Sequence, residues 1–246
     1  CAALCLPTAK LMENTDVYNS KTQNFDQIER WSSTQVYLSK GFVYPFLHSV
    51  GEGRLKPPEG YRTAEARALL DQYTPQDIPE ERKVDLIFLQ LEAFSDFSRL
   101  GGVEGIDFEK AYGTYHALEA ESYTGNLVTN IFAGGTINTE RAVLTGCADQ
   151  WNYRENTNSY AWYLGDQGYA VEGSHPSYDW FYNRKNVNRY LGLPTYYFYE
   201  NRYQDLWSQG LAPDSVLLPE IFRLYEANRD GEGRPYFSFN VTYQGH

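Results

Sequence analysis

Four side chains in this 246-residue sequence are of types that together can carry out a metal-assisted group transfer: Glu92, Thr136, His175 and Arg184. Glu92 closes the run Ile87-Phe88-Leu89-Gln90-Leu91, and Thr136 stands between Gly134-Gly135 and Ile137-Asn138-Thr139-Glu140. His175-Pro176 and Phe181-Tyr182-Asn183-Arg184 frame an aromatic stretch, and His246 ends the chain after Phe239-Asn240-Val241-Thr242. A threonine hydroxyl is a weak nucleophile until a divalent cation lowers its pKa. A carboxylate and a threonine alkoxide begin the oxygen shell that Mg²⁺ or Mn²⁺ prefers. The helix that Thr136 opens offers free N–H groups and a positive dipole end to an anion. A histidine at a strand end can donate to a phosphoryl oxygen or move a proton to a leaving alkoxide. Arg184 adds a planar fork that matches phosphate. Each residue also has a plainer reading. Thr136 suits a helix N-cap with Glu140 in support, Glu92 a solvated strand end, and Arg184 a cation pinned in an aromatic loop. His48 and His116 have no such context and read as structural.

The elements that must position these residues alternate along the chain. Residues 84–91 are almost continuously apolar, as in a strand covered on both faces within a parallel sheet. Ligands bind off the carboxyl ends of such strands, which is where Glu92 stands. Helices are predicted over 117–130, from Thr136 to about Leu144, over 159–166 before Gly168, and over 217–228, with Pro219 marking a first turn. Short strands are predicted at 169–172 and 236–242. Helices alternating with strands give an α/β fold with a mostly parallel central sheet flanked by helices. Residues 1–80 read as a helical lead-in. It has an amphipathic helix over 27–38, an apolar segment broken by Pro45, a loop over 51–60 and a helix from Thr63 to about Tyr73. The partner domain is 81–246.

Composition excludes several classes. A net charge of −11 opposes nucleic-acid binding, and opposes adhesion to anionic lipid by charge alone. No stretch reaches the roughly 18 apolar residues of a membrane span, and Cys1-Ala2-Ala3-Leu4-Cys5-Leu6-Pro7 is at most the tail of one. Cys1, Cys5 and Cys147 have no metal-binding spacing. The 22 tyrosines suit half-buried sheet and loop packing, or stacking on a sugar or polyol near a cleft.

In this order and register, the five segments resemble the lipoteichoic acid synthase and phosphoglycerol transferase family, within the alkaline phosphatase and sulfatase superfamily. The resemblance spans about Asp85 to His246, and the lead-in resembles the stretch joining that family's membrane helices to its extracellular enzyme domain. It implies an alkaline phosphatase/sulfatase-like fold, Glu92 and Thr136 as metal ligands for Mn²⁺ or Mg²⁺, and Thr136 as nucleophile. It also implies His175, Tyr182, Arg184 and His246 as substrate-binding residues, with Tyr182 standing where the family carries tryptophan. The implied reaction moves glycerophosphate from a phosphatidylglycerol-like lipid to a polyglycerolphosphate or glycan hydroxyl, through a threonine-linked intermediate. The implied location is the extracellular face of a bacterial cell membrane, reached through a membrane region preceding Cys1. The family's further Asp-His metal pair is not in these residues, so the domain is expected to be truncated at its C-terminus and inactive alone. Phosphoethanolamine transferase, phosphodiesterase and sulfatase activities are alternatives, although Thr136-Ile137-Asn138-Thr139-Glu140 lacks the sulfatase Cys/Ser motif. A non-catalytic glycan- or polyol-binding domain is the alternative from another class.

Overall fold

The structure, a computed structural model, describes residues 37, 41–52, 57, 59–73, 75–102, 104–129, 135–148, 153–231 and 233–244. The chain divides into two units, Cys1–Pro75 and Gln76–His246. In the first, helix α1 spans Val43–Glu52 and helix α2 spans Thr63–Leu70. Pro45 does not break α1 because it falls in the first turn, where its missing N–H would have no intrahelical partner. Phe42 and Phe46 stack at 5.3 Å, and His48 is buried. The helix expected over 27–38 lies outside the described residues except for Tyr37.

The second unit is built on four parallel strands, β1 (Leu86–Gln90), β2 (Ala170–Ser174), β3 (Thr195–Tyr197) and β4 (Tyr236–Val241), in the order β1-β4-β2-β3. All are parallel, as expected of strands joined through helical crossovers. β4 is interior and wholly buried, and its residues alternate between the two faces. Phe237, Phe239 and Val241 join a core cluster with Leu144, Ala161, Leu164, Val187 and Leu191. Those residues come from α4 (Thr136–Thr145), α5 (Tyr160–Asp166) and the segment of α6 (Arg184–Tyr190) that ends beside Leu191. The opposite face meets α7 (Asp214–Asp230), whose Leu217 and Ile221 pack with Tyr203 and Ala212, while Tyr225 meets the Tyr236 ring edge-on at 5.5 Å. Helices therefore cover both faces, and the α/β architecture expected from the alternating pattern is the one observed.

Three local expectations are corrected. The helix placed over 117–130 is α3 (Phe108–Ala120), started by Asp107, whose side chain accepts from the Lys110 amide. Pro219 lies inside α7, beyond its first turn. Where cover on both faces was expected for β1, the described residues give it one strand neighbour, β4, and leave Ile87, Phe88 and Leu89 40–45% exposed. Gly173 on β2 is required by close approach, since a Cβ there would collide with the Phe239 carbonyl and the Tyr196 ring.

Candidate active site

The carboxyl ends of β1, β4 and β2 bring the site together. Glu92 follows β1 and is buried at 5% exposure. Its amide donates to the Thr242 hydroxyl at 2.9 Å, and the Thr242 amide donates to the Gln90 carbonyl at 3.0 Å, so the ends of β1 and β4 are knitted together. Ala93 then takes φ 56°, a left-handed conformation unfavourable for a residue with a Cβ, in the turn closed by the Phe94 amide and the Leu91 carbonyl. That turn stops the strand directly after the carboxylate.

His175, fully buried, follows β2 on the other side of β4. Its amide donates to the Tyr197 carbonyl at 2.9 Å, and its Nδ1 lies 3.1 Å from the Val241 carbonyl. A carbonyl only accepts, so Nδ1 carries the proton, and in the neutral ring the Nε2 is the basic nitrogen. Glu92 and His175 stand on strands two spacings apart, about 10 Å across the sheet.

Thr136 is the first residue of α4, and the N-cap is Gly135 at φ 79°, with no side chain to cap the helix. The plain capping reading of Thr136 is therefore not what the structure shows. Thr136 is half-buried and lines a cavity of about 930 Å³ with Gln90, Leu91, Ala93, Thr129 and Thr139, the residues flanking Glu92 among them. Glu140, one turn on and on the same helix face, is not a cap either. It is buried and holds Arg184 through Nη2–Oε1 at 2.5 Å and Nε–Oε2 at 3.3 Å. Burial pushes the Glu140 carboxyl up against the opposing pull of Arg184. Burial disfavours the Arg184 cation, but the adjacent Glu140 carboxylate outweighs it and holds the guanidinium above its ordinary value. The Glu92 carboxylate acts on the ionisation of Glu140, Arg184 and Tyr182, so the charged groups of β1, α4 and α6 form one electrostatic unit.

Tyr182 walls this unit. The Arg184 guanidinium lies 5.4 Å from the Tyr182 ring centroid, and burial raises the phenol. Tyr182 and Asn183 are both left-handed, at φ 55° and 56°. Arg141 of α4 donates to the Tyr182 carbonyl at 3.1 Å, which ties the strained pair to the helix that carries Thr136. Of the described non-glycine residues with positive φ, Ala93, Tyr182 and Asn183 flank the site, and Tyr153 packs under Arg141 at 4.9 Å. Strain of this kind persists only where surrounding contacts impose it.

Glu92, Thr136, His175, Tyr182 and Arg184 are thus placed on one end of the sheet, whereas His246 lies outside the described residues. Sequence reasoning missed Thr242, Glu140 as the Arg184 partner, and Arg141. Thr242 stood in the sequence only as the end of the strand that precedes His246, with no role of its own. One buried carboxylate and one hydroxyl fit a hard oxygen-seeking cation such as Mg²⁺ or Mn²⁺ rather than a thiophilic one. Among the described residues no three His, Cys, Asp or Glu side chains form a metal-holding group. The Asp96 carboxylate is engaged otherwise: it accepts from Ser98, and bonds His116 at 2.9 Å and Arg99 at 3.2 Å.

Comparison with known proteins bears on the fold. No protein-family model matches the chain. A Rhizobium meliloti (strain 1021) protein, named for a proposed role in cyclic beta-1,2-glucan modification, is 27% identical over 259 residues. The match covers 99% of this chain and 39% of that protein, so the chain spans well under half the length of its curated relative. The lipoteichoic acid synthase LtaP of Listeria monocytogenes superposes with a TM-score of 0.56 at 20% identity, covering 66% of this chain and 41% of that one. A protein of the alkaline phosphatase superfamily from Vibrio parahaemolyticus superposes at 0.53 and 19% identity, covering 67% and 41%. No described helix is long and apolar enough to cross a membrane. The resemblance read from the sequence is borne out at the level of the fold: this chain carries the alkaline phosphatase-superfamily architecture also found in a lipoteichoic acid synthase.

Proposed function

We propose that this domain moves a glycerophosphoryl group from a phosphatidylglycerol-like lipid to a hydroxyl of a glucan, through an intermediate on Thr136. The observation that carries the reading is the convergence of Glu92, the Thr136 helix start, Arg184 and His175 at the carboxyl ends of parallel strands. The Rhizobium meliloti relative's name favours a glucan over polyglycerolphosphate as acceptor. The lipid donor puts the reaction at the extracellular face of a bacterial cell membrane.

In the first step the Thr136 Oγ bonds to phosphorus as the bond from phosphorus to the diacylglycerol oxygen breaks. The proton lost by the threonine is balanced by one gained by that oxygen. In the second step an acceptor hydroxyl bonds to phosphorus, loses its proton, and the bond to Thr136 breaks. A divalent cation held by Glu92 and Thr136 with further donors would supply the Lewis acidity that ionises the hydroxyl. Arg184 places positive charge beside the transferring group, and Glu140 fixes the plane of its guanidinium. With His175 and Arg184 at 0% and 1% exposure, charge interactions there act in a medium far less screening than water. His175, held by Val241 in the tautomer with a basic Nε2, accepts the acceptor's proton, and the Thr136 oxygen regains a proton as its bond to phosphorus breaks, which restores the starting hydroxyl.

The test supplies full-length protein and Mn²⁺ with fluorescent phosphatidylglycerol, with and without β-1,2-glucan, beside Thr136→Ala. Diacylglycerol release that depends on Thr136, together with glycerophosphate on the glucan, is expected. Thr136-dependent release from phosphatidylethanolamine alone would replace the headgroup, and release unaffected by Thr136→Ala would end the proposal.

A further inference from the structure

Between His175 and Arg184 the chain displays aromatic rings that the reaction above does not use. Trp180 is 66% exposed and Tyr178 37% exposed. Their rings stack, with centroids 5.6 Å apart and planes 18° from parallel, and Tyr199 braces Tyr178 edge-on at 5.3 Å. The stack is continuous with the site: Trp180 meets Phe181 at 5.8 Å, Phe181 meets Tyr182 at 4.3 Å, and Tyr182 lies against Arg184.

The rim of this platform is polar. Lys185 donates to Asp179 at 2.8 Å, and the Asp179 amide donates to Glu200 at 3.0 Å. An exposed, nearly flat indole is costly in water and offers its negative face to C–H groups. With Asp179 next to it in the chain, and Lys185 and Glu200 bonded to Asp179, it suits the two-sided chemistry of a pyranose: an apolar C–H face and an equatorial fringe of hydroxyls. A membrane interface is the competing occupant, since Trp and Tyr favour headgroup depth. The carboxylates of Asp179 and Glu200 and the chain's net charge of −11 oppose an anionic lipid surface.

We infer that the Tyr178–Trp180 stack is the acceptor subsite, holding a glucopyranose ring of a neutral glucan at the mouth of the Thr136 site. The inference rests on the glucan-acceptor reading above. Bracing by Tyr199 and the left-handed Tyr182-Asn183 pair fixes the platform before the sugar arrives, so little ordering is left for binding to impose.

The test measures binding of β-1,2-glucan to full-length protein by calorimetry, which needs no turnover, for wild type, Trp180→Ala and Trp180→Tyr. Trp180→Ala is expected to weaken binding about tenfold, with Trp180→Tyr recovering part of the loss. Acceptor-free lipid cleavage and Tm are expected to stay unchanged. If glucan binds and Trp180→Ala loses it while no lipid is cleaved, the subsite stands and the transferase reading falls. Glucan affinity unchanged in Trp180→Ala overturns the subsite. So does a loss of binding to phosphatidylglycerol vesicles with glucan affinity intact, which would assign the stack to the membrane.

Discussion

The two flanks of β4 are built differently. On the β2 flank, Ser174, His175, Ser177, Arg184 and Asn188 are all at or below 6% exposure, and the guanidinium is held by two bonds to Glu140. On the β1 flank, Glu92 is buried, yet the strand that carries it leaves Ile87, Phe88, Leu89 and Leu91 40–45% exposed. The residues assigned to phosphate and to proton transfer therefore sit in a packed wall. Those assigned to the cation stand beside apolar surface, next to a cavity lined by β1 and α4. Recognition chemistry here is pre-organised by the core, whereas the cation side depends on the knitting of Glu92 to Thr242.

The largest effect expected from this contrast is at Glu140. Removing it by Glu140→Ala strands the Arg184 charge in the core, and such losses cost about 3–5 kcal/mol, readable as a shift in the urea midpoint. A direct comparison of the flanks uses register partners, since Phe88 lies opposite Phe239. Phe239→Ala, at 3% exposure, is expected to cost about 3–5 kcal/mol. Phe88→Ala is expected to cost about half as much, in proportion to the area it buries. Equal losses in parallel denaturation curves would mean that β1 is as well packed as β4.

A smaller effect is expected at Ala93, where glycine would remove the left-handed strain. Ala93→Gly is expected to stabilise by about 1 kcal/mol or less while lowering lipid turnover, because the turn that aims Glu92 loosens. Stabilisation with unchanged turnover would detach that turn from the site. The smallest effect lies outside both flanks, at Asp96. Hydrogen bonds from Ser98, opposed by partial burial and helped by His116, hold its carboxyl well below the usual range. A depressed folded pKa means a stabilising contribution present above the unfolded value near 3.8 and lost as pH falls through the folded one. Asp96→Asn is therefore expected to lower stability at pH 7, where that contribution is fully present, and so to flatten the acid limb of the stability–pH curve. Arg99, Glu119 and His116 share this cluster.

How much was legible in the sequence follows the same division. The Gly-Gly-Thr start of α4, β2 followed by His175, α7 and β4 were all readable, because local pattern and turn chemistry fix them. β3 was not, since three residues cannot show an alternation. α3 was displaced along the chain because its cap, Asp107, was passed over for the Ala- and Glu-containing stretch behind it. The pairing of Glu140 with Arg184, 44 residues apart, and the bond from Glu92 to Thr242, 150 apart, are products of the sheet order. No local signal carries that order. The single described neighbour of β1 was hidden for the same reason: an apolar run reports what a strand can bury, not which strands pair with it.

The measurement that bears most directly on the account is the state of Thr136 during turnover. Full-length protein is incubated with phosphatidylglycerol and Mn²⁺ without acceptor, quenched and digested, and the peptide spanning residue 136 is examined by mass spectrometry. The account predicts glycerophosphate on Thr136 that disappears when β-1,2-glucan is added. Diacylglycerol release with Thr136 unmodified at every time point, and undiminished in Thr136→Ala, would contradict it.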